Sequence, residues 1–291
     1  MARSVIAGFD ELLTRVALTA DQRSVGSSRQ TSLRNFLKDR FTLYAAEPDP
    51  NPWLIGSYAR NTILRQERDI DIMVSLSPTK YWETYANNSS GLVGLVRNAL
   101  NKEYSKSEVS SSGAAVVMEM SIFNVDVVPV FPRNGGGYLV ADGQGKWKSS
   151  NPNFHFNLML DHNKQDDRLK PLVKVAKFWN LCNDSLLESF HLEAMIEYMW
   201  RGISIGSYPH GLKETLRVLA AYLPSGFIDP WEPGGRIDLY LSAEKRKKVV
   251  GFASTDAASA ARAEELRTHG NDQAATDEWQ KVFRKEFPAY G

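Results

Sequence analysis

The sequence has only one cysteine, no excess of either charge and no long hydrophobic run. Because Cys182 stands alone among 291 residues, an intramolecular disulfide and a cysteine metal cluster are both excluded. The 35 Lys and Arg residues balance 34 Asp and Glu residues, for a net charge of +1. Proteins dedicated to nucleic acids or anionic membranes usually carry a basic excess. No run reaches the roughly 18 apolar residues that cross a bilayer, and the N-terminal residues lack the apolar core of a signal peptide. We therefore expect a cytoplasmic protein with no membrane partner.

Apolar residues make up 43% of the chain and aromatic residues 11%, which is enough for a packed core. Apolar side chains recur every three or four residues near the N-terminus and again from about residue 157 onward, a spacing typical of helices. The region between them is rich in β-branched runs and glycine turns, which favour strands. We predict an α+β protein with a mixed β-sheet domain over residues 1–160, including N-terminal helices, and a helical lobe over residues 161–291.

Three aspartates fall within the predicted strands. Asp69 and Asp71 lie in one apolar run, and because strand side chains alternate, both carboxylates project from the same face. Asp126 lies in a later β-branched run. Neighbouring carboxylates repel each other unless a cation lies between them. Mg²⁺ prefers carboxylate and phosphate oxygens, and three carboxylates allow two metal ions that stabilise the attacking and leaving oxygens of a phosphoryl displacement.

Each of these features is weak when it is taken alone. An Asp-x-Asp pair on a strand is common in proteins that bind no metal, and an isolated Gly-Ser is weaker still. Their order makes the pattern specific: Gly56-Ser57, then Asp69 and Asp71 about a dozen residues later, then Asp126. A Gly-Ser turn that leads into a helix exposes backbone N–H groups and a hydroxyl group, which can hold a triphosphate.

These motifs resemble the signature of polymerase-β-like nucleotidyltransferases, and more narrowly that of the bacterial cGAS/DncV-like nucleotidyltransferases. The resemblance covers almost the whole chain. The segments that carry it are Gly56–Thr62, Arg68–Ile72, Asn124–Pro129, Pro171–Asn180, Ser189–Glu193 and Trp279–Pro288. It implies a polymerase-β-like core packed against a helical C-terminal lobe, with a central cleft between the two lobes.

The resemblance also implies a role for each matching residue. Asp69, Asp71 and Asp126 would be catalytic and would bind two Mg²⁺ ions, with Mn²⁺ as the alternative metal. The nucleotide-binding residues would be Gly56, Ser57, Lys174, Lys177, Ser189 and Phe190. Of these, Gly56, Ser57, Lys174, Lys177 and Ser189 would contact the donor triphosphate, whereas Phe190 would stack on a base where many relatives carry Tyr.

Other interpretations of the basic residues remain open. Lys174 and Lys177 are three residues apart, so they lie on one face of a helix and could meet a polyphosphate. They could equally form a solvated stripe opposite the apolar face. Arg60 and Arg65 lie close to the predicted site, where either could contact phosphate or pair with Glu67 or Asp69.

The resemblance implies a cyclic oligonucleotide synthase of bacterial antiphage (CBASS) signalling. Its substrates would be ATP and GTP or other nucleoside triphosphates, and its product a cyclic dinucleotide, expected to be cyclic GMP-AMP. The cyclic nucleotide would activate a separate effector protein. Because some relatives are conjugated through their C-termini, Gly291 is a candidate for attachment by conjugation machinery, the alternative being an ordinary chain end.

Two other functions fit the same residues. One is a linear nucleotidyltransferase acting on RNA, a small molecule or a protein, and the other is a catalytically silent nucleotide sensor. The balanced charge disfavours RNA, because sustained contact with a phosphate backbone requires a basic surface. We therefore expect no extended nucleic-acid template. The presence of all three aspartates disfavours a silent sensor, which has no need of them.

Overall fold

The computed structural model describes residues 4–45, 51–228 and 235–291. The strands are β1 (Trp53–Ile55), β2 (Asp69–Ser75), β3 (Glu108–Ser112), β4 (Ala115–Glu119), β5 (Asn124–Pro132), β6 (Tyr138–Ala141) and β7 (Trp147–Ser150). The α-helices are α1 (Val5–Val16), α2 (Ala20–Arg40), α3 (Gly56–Arg60), α4 (Pro78–Tyr85), α5 (Ser89–Glu103), α6 (Pro152–Gln165), α7 (Leu169–Cys182), α8 (Ser189–Trp200), α9 (Tyr208–Tyr222), α10 (Ala243–Thr268) and α11 (Asp272–Val282). This composition of helices and strands confirms the predicted α+β class.

The chain divides into two compact units that are not consecutive in sequence. The sheet unit contains Leu18–Asn61 and Glu67–Phe156. The helical unit contains Met1–Ala17, Thr62–Gln66 and Asn157–Gly291. The N-terminal helix α1 is therefore part of the helical unit, although the sequence prediction grouped it with the sheet. Whether the functional domains divide at residue 160 stays a prediction.

The sheet unit is built around a mixed sheet. Its strand order is β1-β2-β5-β4-β3, with β6 paired to β5 and β7 paired to β6. Strands β2 and β5 run parallel, whereas the other described pairs are antiparallel. The central strands are rich in Val and Ile, which pack well on a pleated surface. The antiparallel pair of β6 and β7 lies in the region where glycine turns predicted strands.

Both faces of the sheet carry buried apolar side chains. On one face, Trp53, Met73 and Tyr138 form part of a small buried cluster, in which the Trp53 and Tyr138 rings lie 5.2 Å apart. Asn153 connects these two rings, because its Oδ1 accepts a hydrogen bond from Trp53 Nε1 at 3.0 Å and its Nδ2 donates to Tyr138 Oη at 3.1 Å. Helix α5 contacts β3, β4, β5 and β6, and Asn88 caps its N-terminus by accepting a hydrogen bond from the Gly91 N–H.

The helical unit has its own extensive core. In that core the Phe9 ring of α1 meets Trp279 of α11 edge to face, at 4.8 Å between centroids, and also contacts Phe287 at 5.0 Å. A buried carboxylate lies near this cluster: Asp256 Oδ2 accepts a hydrogen bond from Trp179 Nε1 at 2.8 Å, and Arg284 forms an ion pair with the same side chain at 2.9 Å. The apolar stripes seen in the sequence therefore become a single buried core.

None of the helices in the described ranges combines the length and the apolar character that a membrane span requires.

Candidate functional site

The register between β2 and β5 places the three predicted aspartates on one face of the sheet. Asp71 is the direct partner of Asp126, and Asp69 is the partner of Asn124. In a parallel pair, residues in register project from the same face, and residues two apart on one strand do so as well. Asp69, Asp71 and Asp126 therefore share a face, whereas Ile70 and Ile72 are fully buried on the opposite one.

The turn that joins β1 to α3 lies against one of these carboxylates. Ile55 pairs with Asp71 across β1 and β2, so the next residue, Gly56, enters α3 directly beside the acid. Gly56 has a φ of +70°, a backbone conformation that residues other than glycine rarely adopt. A Cβ at this position would overlap the Asp71 carboxylate. Only glycine permits this close approach between the turn and Asp71.

Helix α3 is held in place by an aromatic residue that the sequence analysis missed. The Tyr58 ring meets the Phe123 ring edge to face at 6.1 Å. It also lies over Gly26 of α2, where a Cβ would come within 2.8 Å of the Tyr58 hydroxyl oxygen. Burial raises the pKa of Tyr58 above its ordinary value. Gly26 lies in a polar stretch of the sequence, and nothing in that stretch indicates that this glycine makes room for an aromatic ring.

The electrostatics of the site centre on Asp126. Its pKa is raised to about 6, chiefly because burial penalises the charged form and further because the Asp69 charge lies nearby. The Asp126 Oδ1 atom is buried and has no hydrogen-bond partner among the described residues. A buried carboxylate oxygen without a partner costs free energy, so this position favours a cation or a proton donor that the described residues do not supply.

Divalent metal ions fit the chemistry of this site. The three side chains offer oxygen ligands, and a cation would relieve both the repulsion from Asp69 and the unpartnered Asp126 Oδ1. Among the described residues, no group of three or more His, Cys, Asp or Glu side chains is already arranged to hold a metal ion.

The other predicted binding residues belong to the helical unit. Lys174 and Lys177 lie on α7, and Lys177 is buried. The Lys177 Nζ donates to the Thr62 carbonyl oxygen at 3.1 Å and lies 3.5 Å from Glu193 Oε1. Glu193 Oε1 also accepts a hydrogen bond from Thr62 Oγ1 at 3.0 Å. Because Lys177 is buried, it does not belong to a solvated stripe, and its contact with phosphate stays a prediction.

Ser189 and Phe190 are the first two residues of α8, and both are half-buried. Helix α8 packs against α7. The structure thus groups Lys174, Lys177, Ser189 and Phe190 on two adjoining helices. Their contact with a nucleotide stays a prediction.

The two arginines near the site are placed differently from each other. Arg65 Nε donates to the Ala17 carbonyl oxygen at 2.9 Å, and one of its terminal nitrogens donates to the Thr14 carbonyl oxygen at 3.0 Å. Arg65 thereby connects the short segment 62–66 to the end of α1 within the helical unit. Arg60 ends α3 and is buried, and the alternatives considered for it remain open.

Comparison with known proteins defines the class of the molecule. The solved structure of CdnC from Escherichia coli MS115-1 with ATP matches with a TM-score of 0.76 at 20% identity, over 99% of each chain. This likeness confirms the predicted polymerase-β-like nucleotidyltransferase fold. A cyclic AMP-AMP-AMP synthase of Acinetobacter sp. is 26% identical, over 96% of this chain and 84% of the relative. A CBASS oligonucleotide cyclase, CdnC, of Escherichia coli is 24% identical, over 80% of this chain and 81% of the relative.

A family model described as the Second Messenger Oligonucleotide or Dinucleotide Synthetase (SMODS) domain matches residues 4–163. The chain therefore belongs to the SMODS family. This membership confirms the resemblance stated above and the predicted enzyme class, a nucleotidyltransferase of the cyclic oligonucleotide synthase type.

Proposed function

We propose that the protein joins nucleoside triphosphates into a cyclic dinucleotide by two-metal nucleotidyl transfer with release of pyrophosphate. The observation that supports this most strongly is the parallel register of β2 and β5, which places Asp71 beside Asp126 on the face that also carries Asp69. The close approach of Gly56 to Asp71 places the proposed phosphate-binding turn directly beside these carboxylates.

Each site residue has a proposed role. Gly56 and Ser57 hold the donor triphosphate through the turn and the first residues of α3. Lys174, Lys177 and Ser189 contact the same phosphates from the helical lobe, which we propose as a nucleotide-binding lid over residues 161–291. Phe190 stacks on a base, since an aromatic ring offers a face to any of the four bases.

Asp69, Asp71 and Asp126 are proposed to hold two Mg²⁺ ions, with Mn²⁺ as the alternative. When bound, the two ions stabilise the charge that develops on the attacking and leaving oxygens. The carboxylate nearest the acceptor ribose accepts the proton of its hydroxyl group.

Ring closure requires a second transfer in which the linear intermediate presents its other end to the same site. Positioning and charge stabilisation supply most of the rate enhancement in such reactions. The substrates are small, so a net charge of only +1 is sufficient, and no extended template is needed.

The identity of the product is the finer part of the proposal. Cyclic GMP-AMP from ATP and GTP is the product expected from the sequence. A cyclic adenine trinucleotide is the competing product, because one relative is named a cyclic AMP-AMP-AMP synthase. The cellular role proposed is CBASS signalling in the cytoplasm, where the product activates a separate effector, because a second relative is named a CBASS oligonucleotide cyclase. Conjugation through Gly291 is a secondary proposal, which would fail if deletion of Gly291 left conjugation unchanged.

One experiment tests the function directly. The purified protein is incubated with all four nucleoside triphosphates and Mg²⁺, treated with phosphatase, and its products are identified by mass. A phosphatase-resistant cyclic dinucleotide supports the proposal, and a cyclic trinucleotide would correct the ring size. Products that lose terminal phosphate would indicate a linear nucleotidyltransferase. Nucleotide binding by calorimetry without pyrophosphate release would indicate a silent sensor.

A further inference from the structure

Helix α8, which begins with the proposed nucleotide contacts Ser189 and Phe190, is fixed at its start by a residue distant in sequence. Its N-cap residue, Glu188, makes no side-chain capping bond of its own. Instead, the Glu188 N–H donates to the Tyr240 hydroxyl oxygen at 2.8 Å. The first turn of α8 therefore depends on a tertiary contact rather than on a local one.

The same hydroxyl group also meets the third residue of the helix. Tyr240 Oη lies 2.8 Å from His191 Nδ1, and the two rings meet edge to face at 5.7 Å. Phe227 stacks on the other side of the imidazole at 5.8 Å. His191 is 1% exposed, and this burial lowers its pKa to about 4, so the ring is neutral at neutral pH. A neutral imidazole has one N–H and one acceptor nitrogen. In the tautomer that is protonated at Nε2, Nδ1 accepts from the Tyr240 hydroxyl group while that group accepts from the Glu188 N–H.

The segment that carries Tyr240 is itself anchored within the helical unit. Asp238 is completely buried. Its carboxylate accepts two hydrogen bonds from Arg236, at 2.9 and 2.7 Å, and a third from Arg246 of α10 at 2.6 Å. These charge-assisted hydrogen bonds are among the strongest in proteins. They fix the backbone near Tyr240 and therefore the position of its side chain against α8.

We propose that Tyr240 is a positioning residue for nucleotide binding: its hydroxyl group sets the first turn of α8, and through it the places of Ser189 and Phe190. This inference rests on the proposed function, in which those two residues contact triphosphate and base. Glu188, His191 and Tyr240 touch no substrate in this scheme, so the effect of Tyr240 passes entirely through the helix.

The test is Tyr240→Phe, which retains the ring and removes only the hydroxyl group. Pyrophosphate release is followed with an equimolar mixture of nucleoside triphosphates, together with the thermal midpoint and the Kd of a fluorescent ATP analogue. We expect the apparent KM and the Kd to rise about tenfold, because the Glu188 N–H loses the hydrogen bond that fixes the start of α8, with kcat within about twofold. Tyr222→Phe is the matched control, since Tyr222 lies in the same unit and is 62% exposed.

A second pair of variants keeps the test decisive if Tyr240→Phe is unstable. His191→Leu removes the acceptor for the Tyr240 hydroxyl group, whereas His191→Asn retains an oxygen acceptor. We expect His191→Leu to raise KM and His191→Asn to retain most of the wild-type affinity. A lowered thermal midpoint with unchanged KM and Kd in Tyr240→Phe would overturn the inference and leave Tyr240 with a structural role only.

Parallel measurements on Ser189→Ala and Phe190→Ala separate this inference from the proposed function. If these two variants raise KM and Tyr240→Phe does not, the inference fails and the proposed nucleotide contacts stand. A wild-type protein that binds no nucleotide analogue and releases no pyrophosphate would overturn the proposed function, and the inference with it.

Discussion

Asp71 and Asp126 are direct partners across the parallel strands β2 and β5, although two helices and two strands lie between β2 and β5 in the sequence. Asp69, two residues before Asp71, lies on the same face. We expect Asp69→Asn and Asp126→Asn each to reduce product formation at least about 1,000-fold, because each removes an anionic ligand at the point where charge develops. The measurement is cyclic product by mass after phosphatase treatment.

The matched control is Asp39→Asn, an exposed aspartate of the same unit, which should retain full activity. Asp126→Asn should also retain or increase the thermal midpoint, since it removes a buried carboxylate that Asp69 repels. Near-normal turnover from either site variant would remove these residues from the active site.

Gly56→Ala tests the close approach between the turn and Asp71. The added methyl group would overlap the Asp71 carboxylate at a backbone φ of +70°, so we expect loss of activity and destabilisation by about 1–3 kcal/mol. Gly136→Ala isolates the clash, because Gly136 also has a positive φ but has open space around its Cα. Equal losses of activity in the two variants would mean that backbone strain alone explains the result.

Glu193→Gln tests the buried network of the helical unit. The change removes the carboxylate charge beside the buried Lys177 ammonium group while retaining an oxygen that can accept from Thr62. Breaking a buried ion pair from one side typically costs about 3–5 kcal/mol, and we expect urea denaturation to report a loss of that order. The exposed pair of Arg15 and Glu11 provides the control: Glu11→Gln should change stability by less than about 1 kcal/mol. Equal losses of stability in Glu193→Gln and Glu11→Gln would show that burial does not strengthen the pair of Lys177 and Glu193.

His191 makes the stability of the protein depend on pH in a defined range. Its pKa is about 4 in the folded protein and 6.5 in the ordinary, exposed state, because burial disfavours the charged form. Between these values the unfolded chain binds more protons than the folded chain, so the free energy of unfolding falls as pH is lowered from 6.5 to 4. This single group contributes up to about 3 kcal/mol of that fall.

The measurement is urea denaturation at several pH values for the wild type and for His191→Asn, which does not titrate. Above pH 6.5, the difference between the two free energies of unfolding should be constant. Below pH 6.5, the wild type should lose stability relative to His191→Asn. Parallel curves over the whole range would show that His191 does not resist protonation.

Local patterns in the sequence were sufficient to predict the elements that carry the acids. Alternation placed Asp69 and Asp71 on one face of a strand, and β-branched runs identified the strands that became β4 and β5. Helical spacing predicted helices from about residue 157 onward, the region that contains α7 to α11. Helix α2 continues through the polar stretch between residues 21 and 29, because an exposed helix face needs no apolar residues.

Properties that depend on distant partners could not be read from the sequence. The register of Asp71 with Asp126 depends on which strands pair, and nothing local specifies that pairing. The burial of Lys177 depends on Thr62 and Glu193, which come from separate segments. The amphipathic pattern of α1 predicted a helix, but such a pattern does not indicate which part of the protein packs against its apolar face. In the structure, α1 packs within the helical unit.

The contact between α1 and α11 has a consequence for synthesis of the protein. The Val5 N–H donates to Asp272 Oδ1 across 267 positions of sequence, and Phe9 packs on Trp279. During translation, α1 leaves the ribosome 267 positions ahead of its partner residue on α11. The part of the α1 surface that packs on α11 therefore stays uncovered until α11 has been made. The sheet unit, whose last residue is Phe156, can fold first, whereas the helical unit closes only after α11 has emerged.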